Sequence, residues 1–459
     1  MHFFSVIPYL QIMSCQSKSD SLISAFEAEG FEVQLGAATD FQIEDCAHLD
    51  SCFGNNASAP YILFNLPGPA SSPDRLPETL VGEIPKVPEN LRPHYYLNDN
   101  EAVVIVGTSP PQSKYFGLTP YLFSRIGDGT ERIPVFASLT DSINQVNVRT
   151  EDGNPYNSKM AVIYTSDSAS MANARNALEN MGYSNSNINE VILPRSDVEY
   201  GTVPDKSDTF LIMGRLALVE EEAAGQRYLQ DIPLQVYRLS TEQTGAALEV
   251  DERTPRGDGQ NEDHLESGLD QLEDAIYAEA EQFGEVTDIA IASSQIVSQI
   301  IDPELCLANT TECKGDNSDT TYAAGPLSVI QSDGINTLDE DEYFVVYGVN
   351  HTAAGKSTYS NFSVYTQTKK IGVVAVDNTA MVGSASGYLS NNADKYFVYE
   401  VRRDCTDKPY CLTLHTDFPG APLDESLFFI FRAYLNPGLT VSPNHDEILT
   451  ERVVHVQPY

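Results

Sequence analysis

Several stretches of the chain are apolar at consecutive positions, not at helical spacing: "AVVIV" from Ala102, "KMAVIY" from Lys159, "FLIM" from Phe210, "YFVVY" from Tyr343 and "FFIF" from Phe428. Short runs of β-formers bounded by Gly, Pro, Asn and Asp predict β-strands. Helical spacing is rarer. Met171, Ala174, Leu178 and Met181 share one face, with Gly182 as a stop. Leu265, Leu269, Leu272 and Ile276 share another, with Asp263 placed to cap the helix and Glu266 three residues later. This second helix is expected to pack across a junction between β domains. Residues 21–28 read as a short helix ended by Gly30, followed by strands over 31–35 and 61–66. Seven prolines between 67 and 93 deny that segment both helix and central strand, so it is an extended connector.

The runs recur in order. A glutamate opens "EAVVIVGTSPPQSKYFGLTPY" at Glu101 and "EYFVVYGVNHTAAGKSTYSNFSVY" at Glu342. In both, β-formers lead to Gly107 or Gly348, a turn-rich loop leads to Tyr115 or Tyr359, and a strand continues to Tyr121 or Tyr365. "VFASLTDSI" from Val135 then parallels "VVAVDNTAM" from Val373, and "KMAVIY" parallels "KYFVYEV" from Lys395. Finally "FLIMGRLALV" parallels "FFIFRAYLNP" from Phe428. One such match is cheap, because strands draw on a small alphabet; the shared order indicates an internal duplication. The expected fold is α+β and β-rich: two internally duplicated antiparallel β-sandwich or barrel-like domains with a few packed helices. One domain spans 97–240 and carries an inserted strand–helix–strand unit; the other spans 338–459, with a Cys405–Cys411 hairpin in the corresponding place. Residues 1–20 are expected to be a signal or tether, 21–96 an N-terminal α/β segment with the Pro-rich connector, and 241–337 a helical linker region.

The repeat pairs Arg215 with Arg432, each inside an apolar run. A buried guanidinium without a partner is costly, so each demands a carboxylate or an anionic ligand unless it faces water. Glu101 and Glu342 are the expected partners, because each opens the first strand of its own repeat. Contact with a ligand at the domain interface is the alternative, which makes Arg215, Arg432, His351, Tyr115 and Tyr359 candidate ligand-binding residues. "YFGLTPY" at 115–121 and "FRAYLNP" at 431–437 resemble motifs of a widespread group of uncharacterised bacterial envelope proteins built from paired β-rich domains of unknown function. In that group a Trp-Ser-Leu-Thr-x-Tyr strand and a late strand with Arg, Tyr and Pro recur. Here Phe116 and Gly117 stand in place of Trp and Ser, and no Tyr or Pro follows Arg215 in that way. The resemblance covers about a quarter of the chain; it implies a β-rich envelope protein and no particular reaction.

Charge narrows the partners. Sixty-six acidic against 27 basic residues give a formal net charge of −39, which repels phosphate backbones and anionic membrane surfaces, so nucleic acid is excluded. No stretch approaches the roughly 20 apolar residues of a membrane span. Six of the seven cysteines form close pairs, Cys46 with Cys52, Cys306 with Cys313, and Cys405 with Cys411. Each can close a local disulfide worth roughly 2 kcal/mol, which places the protein outside the cytosol. Cys15 is left over, in "IMSC" before a polar "QSKSD" tether, which resembles a bacterial lipoprotein signal and makes Cys15 a candidate lipid anchor. No Lys or Arg precedes the apolar segment and Pro8 interrupts it, so a cleaved secretory signal and an ordinary first strand stay open.

Catalytic signatures are absent. "GSASG" at 383–387 has Ala385 where a serine-hydrolase elbow needs its nucleophile, and there is no Walker loop, dinucleotide fingerprint or His-Glu-x-x-His. His351, His415 and His445, with Asp446 or Glu447, are candidates for a divalent metal. Calcium is the other cofactor considered, at Asp316 and Asp319 in "KGDNSD" or around Asp258 in "RGDGQNED", though neither has the EF-hand spacing. The expected function is a secreted or lipid-anchored binding or scaffold protein, with a small polar ligand or glycan in a cleft between the two domains. The alternative is an extracytoplasmic hydrolase or lyase acting on a glycan or small polar substrate. Non-reducing peptide mapping is expected to recover all three close cysteine pairs as disulfides; free thiols at these positions in the native protein would contradict the extracytoplasmic assignment.

Overall fold

A computed structural model, which describes residues 19–79, 82–326 and 336–459, explains why the apolar runs lack alternation. Neighbouring side chains in one strand serve different cores. Ala102, Val104 and Val106 pack outward under two helices, whereas Val103 and Ile105 pack inward against a second sheet. In the same way Tyr343, Val345 and Tyr347 meet a helix, and Phe344 and Val346 face inward. Both faces of these strands are therefore dry, which demands apolar residues at every position.

The fold is α+β and β-rich, with four open sheets. The first has the strand order Glu32–Leu35, Leu234–Ser240, Ala102–Thr108, Lys159–Thr165, Ile188–Ile192. The second runs Ala37–Phe41, Tyr61–Asn65, Thr209–Val219, Ser113–Ile126, Arg132–Ser138. The third is Gly284–Ile289, Arg452–Pro458, Tyr343–Val349, Tyr396–Arg402, Cys411–Thr413, and the fourth is Thr320–Gly325, Leu427–Tyr434, Tyr359–Thr366, Gly372–Asp377. The third sheet reproduces the order of the first. The fourth reproduces the second without its Ala37–Phe41 edge. Pairing is antiparallel throughout except at one edge, where Ile188–Ile192 lies parallel to Lys159–Thr165 and Cys411–Thr413 lies parallel to Tyr396–Arg402. The first parallel crossover carries the helix Ser168–Asn180. The second is a short loop closed by Cys405–Cys411, so the expected hairpin is a parallel connection instead.

Strands before residue 97 and before residue 338 complete these sheets. Glu32–Leu35 and Tyr61–Asn65 pair with strands of the 97–240 interval, and Gly284–Ile289 and Thr320–Gly325 pair with strands of 338–459. The 241–337 region accordingly supplies sheet edges as well as helices. Helix Glu266–Ala280 does not bridge two domains: Leu269, Leu272 and Ile276 pack on the outer face of the third sheet. Its first turn is a 3-10 turn over Asp263–Leu265, and Asp263 makes no cap. The helical stretch 19–28 takes the equivalent place on the first sheet through Leu22 and Phe26.

Three disulfides, Cys46–Cys52, Cys306–Cys313 and Cys405–Cys411, mark a non-cytoplasmic protein. Among the described residues no helix is long and apolar enough to cross a membrane. Cys15 and the signal or tether over 1–20 lie outside the described residues, apart from 19 and 20.

Glu101 meets a different arginine from the one expected. It receives Arg238 Nε at 2.9 Å and Nη2 at 2.7 Å, wholly buried, while Glu342 faces His455 Nε2 at 3.1 Å in the corresponding strand. Arg215 and Arg432 sit in the other sheet of each half, a core layer away. Breaking a buried pair from one side leaves an uncompensated charge. Glu101→Ala is expected to destabilise the protein by about 3–5 kcal/mol, read from urea unfolding, with Glu342→Ala costing less because its site is partly exposed.

Candidate ligand cavity between the facing sheets

Strand parity builds the site. In Thr209–Val219, Phe210, Ile212 and Leu216 point into the core of the first half, which leaves Leu211, Met213 and Arg215 on the opposite face. In Leu427–Tyr434, Phe429 and Phe431 are core, which leaves Phe428, Ile430, Arg432 and Tyr434 outward. The two outward faces look at each other across a cavity of about 860 Å³. Its walls are mostly apolar, with Ile84 and Val87 of the Pro-rich connector closing part of one side. Lys86 anchors that connector to Asp40 and Asp45, both at 2.9 Å.

Two disulfide loops join the halves, and each reaches into the other half. Cys52 N–H donates to Lys369 O at 2.8 Å and Gly54 N–H to Lys370 O at 2.9 Å. Reciprocally, Cys313 N–H donates to Val135 O at 2.7 Å and Gly315 N–H to Phe136 O at 2.9 Å. The next residue repeats the exchange: Asn55 Oδ1 accepts from Gly372 N–H, and Asp316 Oδ1 from Ser138 N–H, both at 2.9 Å. Gly54 and Gly315 hold φ of +74° and +71°, the left-handed region that glycine enters freely. A Cβ on Gly315 would also lie 2.8 Å from the Phe136 ring.

Each arginine completes the opposite loop. Arg215 Nη2 donates to Gly315 O and Arg432 Nη2 to Gly54 O, both at 2.8 Å. Tyrosines of the arginine's own half flank each guanidinium: Tyr61 and Tyr121 for Arg215, Tyr322 and Tyr365 for Arg432, at 5.5 to 5.8 Å from ring centroid to Cζ. Arg432 also donates to Tyr365 Oη at 2.6 Å, and Arg215 reaches Thr119 Oγ1 at 3.4 Å. Among the described residues neither arginine makes an ion pair.

No protein-family model matches the chain, and no curated protein matches it. Solved structures resemble it weakly, two of them as follows. One is an uncharacterised protein from Burkholderia cenocepacia, at 10% identity over 99% of this chain and 91% of that one, with a TM-score of 0.39. The other is a protein from Vibrio parahaemolyticus, at 12% identity over 79% of this chain and 88% of that one, with a TM-score of 0.37.

The other expected site residues scatter. Tyr115 and Tyr359 are buried where the halves meet, beside the cavity and not in its wall; Tyr115 donates to Asp319 Oδ2 at 2.9 Å and Tyr359 hydrogen-bonds Ser58 Oγ at 2.6 Å. Asp316 and Asp319 are not grouped as calcium ligands. Ser138 holds Asp316, Tyr115 and Asn144 hold Asp319, and burial pushes the Asp319 carboxyl up to about 7. Asp258 is bound by Lys356 at 2.7 Å. Among the described residues no three His, Cys, Asp or Glu side chains are grouped to hold a metal ion. His351 is remote from the cavity, buried between Glu262 at 2.9 Å and Glu451 at 3.0 Å. His94, which sequence reasoning passed over, does line the cavity; burial and the nearby Arg132 and Arg92 lower its pKa to about 3, so it is neutral.

His351 carries a pH signature. Burial opposes its charge, but Glu262 and Glu451 override burial and hold the imidazolium up to about 10. A pKa raised on folding contributes stability that is complete below the unfolded value near 6.5 and is lost as pH rises through about 10. Thermal unfolding from about pH 6 to pH 10.5 is expected to show a fall in midpoint that is absent in His351→Gln; parallel profiles for the two proteins would contradict the assignment.

Proposed function

We propose that the protein is an extracytoplasmic binding protein, secreted or anchored at Cys15, built from two duplicated β-rich units that hold an apolar-bodied ligand between them. The observation that carries this reading is the cavity of about 860 Å³, within the range of small-molecule sites and walled by side chains from both halves. Leu211, Met213, Phe428 and Ile430 line the cavity from both sheets, and an apolar ligand packs against them. The reciprocal loops favour a pre-formed site, which lowers the ordering cost of binding. The mostly apolar walls disfavour a glycan or small polar ligand. The hydrolase reading loses its proposed constellation, because His351 and Arg432 do not share a pocket.

Titration with a neutral apolar fluorophore tests the proposal. Saturable enhancement is expected in the native protein, and Met213→Trp with Ile430→Trp, which fills the cavity from both sides, is expected to weaken it by roughly tenfold or more. Absence of saturable binding to the native protein would contradict the reading.

A further inference from the structure

We propose that the cavity takes a single-chain amphiphile with an acidic head, carboxylate or phosphate, gripped between Arg215 and Arg432. The inference rests on the binding reading above and names the ligand class of that same cavity. Both arginines line it, at 5% and 4% exposure. A guanidinium has five N–H donors in a planar fork that matches carboxylate and phosphate. Here each makes two hydrogen bonds to protein, all to neutral acceptors, and neither has a carboxylate within ion-pair distance among the described residues.

Framework duty alone accounts for one bond per arginine, the one to Gly315 O or Gly54 O. A neutral donor would serve that carbonyl without the cost of burying a cation. The two charges also line the same cavity. Two like charges beside one apolar cavity repel each other, and one anion between them relieves both. Asp319, a buried acid whose charge acts on Arg215, makes no ion pair with it and is hydrogen-bonded to Tyr115 and Asn144. Lys314 and Lys370 also line the wall, Lys370 paired with Glu312 at 3.5 Å, and the carboxylates in the lining are Glu83, Glu89 and Asp316, the last hydrogen-bonded by Ser138. The rest of the wall is mostly apolar and fits a hydrocarbon chain.

Calorimetry on the full chain with laurate, dodecyl phosphate, dodecanol and acetate separates the possibilities. Laurate and dodecyl phosphate are expected to bind roughly 10- to 100-fold tighter than dodecanol, with acetate far weaker for want of a chain. Their ratio to each other identifies the preferred head. In Arg432→Met the laurate advantage is expected to disappear while dodecanol binding persists. Equal binding of laurate and dodecanol to the native protein would overturn the acidic-head assignment and leave the apolar-cavity reading standing. Binding of neither chain would remove both. The native-protein ratio decides even where Arg432→Met fails to fold, because it requires no variant.

Discussion

The exchange of two disulfide loops between the halves is the constraint on which the rest of the molecule depends. Each loop leaves its own half just before the strand Tyr61–Asn65 or Thr320–Gly325, crosses, and pairs with the partner half at 369–370 or 135–136. The cysteines go with it: Cys306 and Cys313 join the core cluster of the first half. Cys46 and Cys52 join the cluster that is largely the second half's. Neither half has a complete core without the other. The halves meet at the loops and through Tyr115, Tyr359 and Tyr434, and the cavity lies beside these contacts.

The arginines follow from this arrangement. A loop that turns through left-handed Gly54 or Gly315 presents its carbonyl to the interior, where an unpaired acceptor is expensive. Arg432 and Arg215 answer those carbonyls from the opposite half. Tyrosine faces then take the place that a carboxylate would usually fill, so the cationic charge is screened by rings and not cancelled.

The sequence made some of this legible and hid the rest for identifiable reasons. Strand order could be read because buried strands repeat the same apolar runs, and the pairing of Arg215 with Arg432 came with it. Their partners could not. Choosing Glu101 and Glu342 ignored that the glutamates and arginines lie in different sheets, separated by a core layer. The glutamates' actual partners, Arg238 and His455, occupy matching strands but share no chemistry a sequence comparison would notice. "CFGNN" from Cys52 and "CKGDN" from Cys313 do carry the signature of the exchanged loops, Cys-x-Gly-x-Asn in both, but five residues far from the other matches are too short to mark a repeat by themselves. His351 looked like a loop histidine because its carboxylates, Glu262 and Glu451, arrive from distant parts of the chain.

Amide hydrogen exchange at four positions tests the exchanged loops most directly. If the loops are paired across the halves, the N–H groups of Cys52, Gly54, Cys313 and Gly315 exchange as slowly as those of the central strands Thr209–Val219 and Leu427–Tyr434. Exchange at the rate of exposed surface loops would mean that each loop stays with its own half, and the shared cavity would have no frame.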